Sequence, residues 1–189
     1  MKKNIVILAS GSGSNAENIV KYFWGNKNVH FPLIISNKED AFVHERARNL
    51  GIPSYTFKKV DFENGKVLDV LKKQQVNLIV LAGFLLKVPD NLLQAYPNRI
   101  INIHPALLPK FGGKGMYGSH VHEAVVAAKE KESGITIHYV NENYDEGQII
   151  FQAKCKILPT DSPNDVAKKI HALEYEYFPQ IIEQILNKY

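Results

Sequence analysis

In the run Arg99-Ile100-Ile101-Asn102-Ile103-His104-Pro105-Ala106-Leu107-Leu108-Pro109, an amide and an imidazole stand two residues apart. On a strand, Asn102 and His104 share one face, and Ile101 and Ile103 take the other. Pro105 cannot donate to a strand ladder, so it stops the strand and leaves His104 at its C-terminal end. Ligands of open parallel α/β sheets bind at that edge. An amide N–H beside an imidazolium can hold the negative charge that develops on a carbonyl oxygen under attack. A histidine alone at a strand end is more simply a hydrogen-bonded structural residue. The amide on the same face and the Pro-x-x-x-Pro turn behind it shift the balance to chemistry. The polar turn Asn141-Glu142-Asn143-Tyr144-Asp145-Glu146-Gly147 supplies a carboxylate. Asp145 near His104 would orient the ring and raise its pKa; the alternative is a solvated turn acid.

A second constellation lies near the N-terminus. Ser10-Gly11-Ser12-Gly13-Ser14-Asn15 follows a short apolar run and precedes a helical pattern. Glycines let the backbone approach a ligand closely, and a helix start offers unpaired N–H groups at the positive end of the dipole. Ser12, Ser14 and Asn15 add side-chain donors, so residues 11–15 suit a phosphate. Three readings stand: the phosphate of a mononucleotide, a dinucleotide, and a structural turn. Gly11-x-Gly13-x-x-Ala16 fits the loose dinucleotide fingerprint. The second strand, however, ends in Ser36-Asn37 with no acid to hold a ribose, and Glu39 and Asp40 read as the start of the next helix.

Other groups carry less. His120 and His122 lie two apart on a helical pattern and do not share a face; with no third ligand in view, surface histidines are the expectation and no metal is assigned. His138, in a strand, fits a satisfied core histidine as well as a site residue. Tyr175, Tyr177 and Phe178 read as core aromatics of the last helix. Lys58-Lys59 and Lys168-Lys169 read as solvated charge pairs rather than a nucleic-acid patch.

Alternating β and α elements must position these groups. Ile5–Leu8 reads as a strand buried on both faces. A helix follows from Asn15 to about Trp24 and stops at Gly25-Asn26. Phe31–Ile35, Ser54–Phe57, Leu78–Ala82 and Arg99–Ile103 are the next strands. Between them lie a helix over Asp40–Leu50 stopped by Gly51, a helix ending near Gln75, and a short helix with Pro89 in its first turn. Repeated βα units predict a parallel sheet with helices on both faces. Beyond a Gly-rich loop at Gly112–Gly118, a helix spans Ser119–Lys129. The longer strands Ile135–Val140 and Gln148–Leu158 then pair antiparallel across a short polar turn. Asp161 or Ser162 caps a last helix with Pro163 at its first position, and Val166, Ile170, Leu173, Tyr177, Ile181 and Ile185 form its inward stripe. The fold class is α/β: an open, mostly parallel, twisted sheet with an antiparallel strand pair near the C-terminus.

Composition bounds the rest. The 189 residues are 45% hydrophobic and 22% charged, so the chain can bury a core and is not a disordered polyelectrolyte. A net charge of +4 suits an anionic ligand and is too mild for a nucleic-acid partner. A single cysteine, Cys155, excludes an internal disulfide framework and fits a reducing cytosol. No apolar run reaches the ~18 residues of a membrane span. The apolar stretch Ile5–Ala9 is shorter than the ~7–15 residues of a signal-peptide core.

Ile5–Asn15, Ser36-Asn37-Lys38 through Ala47-Arg48, Val80-Leu81-Ala82-Gly83-Phe84, Asn102–Pro109 and Tyr144–Ala153 occur in this order. Together they resemble the phosphoribosylglycinamide formyltransferase (glycinamide ribonucleotide transformylase) family of purine synthesis. Asn-Ile-His-Pro-x-Leu-Leu-Pro is shared with formyl-folate enzymes at large. The Gly-Ser-Asn loop and the short length select this family over methionyl-tRNA formyltransferases, with their extra C-terminal domain, and formyltetrahydrofolate deformylases, with their extra N-terminal one. The resemblance implies a Rossmann-like formyltransferase fold in one domain over residues 1–189, with a mononucleotide-binding half at 1–100 and a catalytic, folate-binding half at 101–189. It implies a folate-dependent transferase that moves a formyl group from the cosubstrate 10-formyltetrahydrofolate to the amine of 5'-phosphoribosylglycinamide. The expected setting is the cytoplasm, with no metal, nucleic-acid or membrane partner, as a monomer or a homodimer.

By the same resemblance, Asn102, His104 and Asp145 are the catalytic trio. Gly11, Ser12, Gly13, Ser14, Asn15 and Glu174 bind phosphoribosylglycinamide. Leu85, Leu86, Lys87, Val88, Asn102, Asn141, Tyr144 and Asp145 line the folate site. There are two departures. Many relatives carry an arginine before the fourth strand, where this chain has Glu63-Asn64-Gly65-Lys66. They carry Met-Arg after Gly-Phe, where it has Leu85-Leu86.

Overall fold

The computed structural model describes residues 2–188, and the chain divides into two compact units, residues 1–102 and 103–189. In the first unit, Ile5 to Leu8 of β1 (Lys3–Leu8) have no exposed surface on either face. An uninterrupted apolar run, rather than alternation, marks such a central parallel strand. Then come α1 (Ser14–Tyr22), β2 (Val29–Ser36), α2 (Val43–Asn49), β3 (Ser54–Thr56), α3 (Lys59–Glu63), α4 (Lys66–Lys73), β4 (Leu78–Leu81), α5 (Asp90–Ala95) and, at the boundary between the units, β5 (Ile100–His104). These strands are parallel, in the order β3-β2-β1-β4-β5. The order reverses between β1 and β4, and the loop that leaves the C-terminal end of β1 opens at that reversal, where ligands of such sheets bind.

Three elements differ from the sequence expectation. The helix expected from Asp40 begins at Val43. The Val43 N–H donates to the Gly11 carbonyl at 3.1 Å, so one donor left over at the helix start is satisfied from outside, while Lys38–Ala41 close a turn. The helix expected to run to Gln75 is two helices, because Gly65 is left-handed at φ +92° and Asn64 Oδ1 accepts the Lys66 N–H at 3.1 Å. Pro89 stands just before α5, in extended backbone, rather than within its first turn.

In the second unit, α6 (Ser119–Ala127) precedes β6 (Glu132–Tyr139) and β7 (Ile149–Lys156), which pair antiparallel as expected. Ser162 caps α7 (Pro163–Leu186): its Oγ accepts the Asp165 N–H, and the Asp165 carboxylate accepts the Ser162 N–H at 3.0 Å. α7 packs on α6, β6 and β7. Its buried stripe runs Val166, Ile170, Glu174, Phe178, Ile182 in steps of four. Glu174 and Phe178 therefore take the inward places expected of Leu173 and Tyr177, which are half-buried. Of the three aromatics expected in this core, only Phe178 is fully buried; Tyr177 leans on Phe151 at the edge and Tyr175 is exposed. Among the described residues, no helix is long and apolar enough to cross a membrane.

Candidate active site

In the first unit the Gly-Ser loop is fixed from three directions. Ser10 is buried; its N–H donates to the Gly83 carbonyl at 3.0 Å, and its Oγ donates to Asn37 Oδ1 at 2.6 Å while accepting the Leu85 N–H at 2.9 Å. One hydroxyl thus ties the loop after β1 to those after β2 and β4. Asn37, where a dinucleotide enzyme would place its ribose-holding acid, is committed to Ser10. Gly13 precedes α1 at φ +72°, and a Cβ there would lie 2.4 Å from Val43 Cγ2. No other residue type meets both conditions. Gly11 and Ser12 are exposed, Ser14 is the first helical residue, and Asn15 is half-buried. The hydroxyls of Ser12 and Ser14 lie 3.5 Å apart.

At the end of β5, Asn102 is half-buried and His104 is 3% exposed. In the second unit the His104 Nε2–H donates to the Phe111 carbonyl at 2.7 Å, and Nδ1 stands 3.5 Å from Asp145 Oδ2. Asp145, left-handed at φ +58°, also accepts the Gly113 N–H at 3.0 Å, and its Oδ1 lies 3.6 Å from His138 Nε2. His138 Nδ1–H donates to the Tyr139 carbonyl at 2.8 Å. The turn that carries Asp145 closes on Gly147, where a Cβ would lie 1.7 Å from the Tyr139 oxygen.

The chain leaving His104 is held by a buried hydroxyl. Thr136 Oγ1 donates to the Ala106 carbonyl at 2.7 Å and accepts the Leu108 N–H at 3.0 Å and a Gln152 N–H at 2.9 Å. Asp145 therefore reaches His104, which sequence left open. His138 belongs to the same cluster and was not singled out as a site residue. Its signal was the pair Thr136-x-His138, which puts two polar side chains on one face of an otherwise apolar strand. The Phe111 carbonyl carried no sequence signal, since every residue has one.

Burial pushes the His104 imidazolium below the ordinary histidine value; Asp145 and the Phe111 carbonyl pull it back without cancelling that. The expected upward pull of Asp145 is present, and burial outweighs it. Burial pushes the Asp145 carboxyl up, but His138, His104 and the Gly113 N–H together hold it below its usual value, so it stays charged. The pair is therefore an anion beside a neutral ring near pH 7. The Phe111 bond fixes the proton of that ring on Nε2 and leaves Nδ1 as the basic nitrogen.

Glu174 is 5% exposed, and its Oε2 accepts from His171 Nδ1 at 2.9 Å, which holds the His171 pKa above its usual value. His122, expected at the surface, is 5% exposed, and burial pushes its pKa down; His120 is exposed. Among the described residues, no three His, Cys, Asp or Glu side chains are grouped to hold a metal. Of the residues expected to line a folate site, Leu85, Lys87 and Tyr144 are exposed, Leu86 and Asn141 are half-buried, and Val88 is buried at 4% exposure, so its side chain belongs to the core.

A mostly parallel α/β sheet with a glycine loop at the reversal of its strand order and an imidazole–carboxylate pair at the end of β5 defines the open α/β class, whose ligands bind at strand C-termini. Residues 3–182 match the formyl transferase family, and the chain belongs to that family. It is 40% identical over 194 residues to a protein of Arabidopsis thaliana named phosphoribosylglycinamide formyltransferase, chloroplastic, covering 99% of this chain and 66% of that protein. It is 38% identical over 191 residues to phosphoribosylglycinamide formyltransferase of Bacillus subtilis, covering 98% and 95%. The crystal structure of phosphoribosylglycinamide formyltransferase from Bacillus halodurans superposes with a TM-score of 0.89 at 36% identity, over 98% of this chain and 96% of that one. The chain spans just under two thirds of the length of the plant relatives it matches.

Proposed function

We propose that this protein transfers the formyl group of 10-formyltetrahydrofolate to the amine of 5'-phosphoribosylglycinamide, giving phosphoribosyl-N-formylglycinamide in de novo purine synthesis. The observation that carries this reading is the His104 ring held between the Phe111 carbonyl and the charged Asp145, two residues after Asn102 on β5. The relatives' names and the family match support the choice of substrates.

The glycinamide amine, with a pKa near ~8 as an α-amino group, is partly neutral at physiological pH and can attack the formyl carbon. Attack puts negative charge on the formyl oxygen, which the Asn102 amide stabilises as a donor. The attacking nitrogen becomes positive and gives a proton to His104 Nδ1, the basic nitrogen. The resulting imidazolium stands between the Asp145 carboxylate and the new oxyanion, stabilising the latter. The proton then passes, through water, to the departing folate nitrogen as the C–N bond breaks. No covalent enzyme intermediate and no metal enters this sequence.

Residues 11–15 take the substrate phosphate, and Glu174 takes the ribosyl hydroxyls; this remote binding energy holds the amine in place. Leu85, Leu86, Lys87, Asn141 and Tyr144 border the folate, with exposed Leu85 and Tyr144 suited to apolar faces of the donor. The buried Val88 supports this segment from behind. Both compact units belong to one functional domain in this reading, with the mononucleotide half at 1–100 and the catalytic and folate-binding half at 101–189. Its setting is the cytoplasm, which Cys155 as sole cysteine supports.

The direct test is formyl transfer by the purified protein, following loss of 10-formyltetrahydrofolate with phosphoribosylglycinamide supplied or omitted. Turnover dependent on both substrates is expected. A protein that binds both and turns over neither would end this reading.

A further inference from the structure

Two carbonyls of the Gly-Ser loop, those of Gly11 and Ser12, face α2. The Gly11 oxygen accepts the Val43 N–H at 3.1 Å, and the Ser12 oxygen accepts the Arg46 Nε–H at 2.8 Å. Both peptide units are trans, and in a trans peptide the N–H points opposite to the carbonyl. The N–H groups of Ser12 and Gly13 therefore project away from α2, side by side, at the start of α1. Successive N–H groups beside a left-handed glycine form a concavity suited to an anion. Val43 supplies its half of this arrangement from main chain, and Arg46 supplies the other half from a side chain.

Arg46 performs a second task at the same place. Its Nη1 pairs with Glu17, in the first turn of α1, and Lys21 reaches the other oxygen of that carboxylate at 2.5 Å. A carboxylate in the first helical turn is favourable when nothing else is bound there. It repels an anion arriving at the same helix start unless its charge is covered. The guanidinium is held over the Phe42 ring, 5.1 Å from its centre, which accounts for a phenylalanine left more than half exposed.

We propose that Arg46 is a positioning residue for the phosphate of the substrate, turning the Ser12 and Gly13 N–H groups toward it and neutralising Glu17 beside it. This rests on residues 11–15 being the phosphate site. It predicts a defect confined to one substrate. Arg46→Gln should raise KM for phosphoribosylglycinamide, and the inhibition constant of inorganic phosphate as a competitor, by about tenfold. kcat and KM for 10-formyltetrahydrofolate should stay within about twofold, because no group at the end of β5 is touched. Arg46→Lys should recover only part of the loss, since one ammonium cannot serve the Ser12 carbonyl and Glu17 in a fixed fork. Arg46→Gln with Glu17→Gln should bind better than Arg46→Gln alone, because the exposed negative charge is gone.

Constants for both substrates that rise together with a lowered melting temperature would mean that Arg46 merely ties two helices, and the proposal falls. It also falls if Arg46→Gln leaves the phosphoribosylglycinamide KM unchanged while Gly13→Ala raises it. If Gly13→Ala leaves that KM unchanged too, and inorganic phosphate does not compete, the phosphate assignment itself is wrong and both fall.

Discussion

The loop at residues 11–15 presents main chain, whereas the end of β5 presents side chains brought from distant places. In the loop, the groups aimed away from α2 are peptide N–H groups, and the identity that matters most is Gly13, which has no room for a Cβ. At His104 the contributors are a strand end, the Phe111 carbonyl, the Gly113 N–H, Asp145 from a turn and His138 from β6. A main-chain site is specified by where side chains are absent and is encoded within a few consecutive residues. A side-chain site is specified by the chemistry present and needs the whole of β6 and its turn to assemble. The first should tolerate polar substitutions and fail on added bulk; the second should fail on any change of functional group.

Substitutions that remove a functional group test the sharper half of this contrast. Asn102→Ala and His104→Ala should each lower kcat by about 10²–10³, with folding checked by melting curves; near-normal turnover in both would erase the distinction. Asp145→Asn should cost less, about tenfold to a hundredfold, and should move the pH profile. Neutral His104 accepts the proton, so kcat/KM falls as pH drops through its pKa, which lies below 6.5. Asp145 raises that pKa, so loss of its charge should shift the acidic limb to still lower pH. A limb that does not move would show that the two groups are not electrically coupled.

The loop variants come next in size. Gly13→Ala should raise KM for phosphoribosylglycinamide about tenfold or more, because its methyl meets Val43 and φ +72° disfavours alanine. Ser12→Ala and Ser14→Ala should each change that KM by about threefold or less, the scale of one exposed hydrogen bond. If the serines matter more than the glycine, the site is not built from main chain.

The same contrast explains what could be read in advance. The parallel sheet, the capping of α7 by Ser162 and the loop at 11–15 were legible because each depends on neighbours in sequence. The start of α2 was not, since it is set by the Gly11 carbonyl thirty-odd residues earlier, and neither was the broken helix at Gly65, whose periodicity runs on across the gap. Periodicity also misjudged α7 by placing Leu173 and Tyr177 inward, because it weighs hydrophobicity and so passes over the buried carboxylate of Glu174. His122 was misplaced for the same reason. The Phe111 carbonyl lay beyond reach because its role exists only once the loop after β5 has folded onto His104, and His138, though marked by Thr136-x-His138, could not be told from a core histidine until the turn carrying Asp145 met it.

Thr136 offers a last lesson about what a core position selects for. Its hydroxyl uses its one proton and both lone pairs on Ala106, Leu108 and Gln152. Valine has almost the same outline and would fill the same space, yet it would strand those partners in a dry interior at about 1–3 kcal/mol for each one left unsatisfied. Volume is therefore the wrong measure of similarity at this site. Two sequences that look interchangeable to a packing criterion would differ in whether the backbone behind the imidazole keeps its bearings.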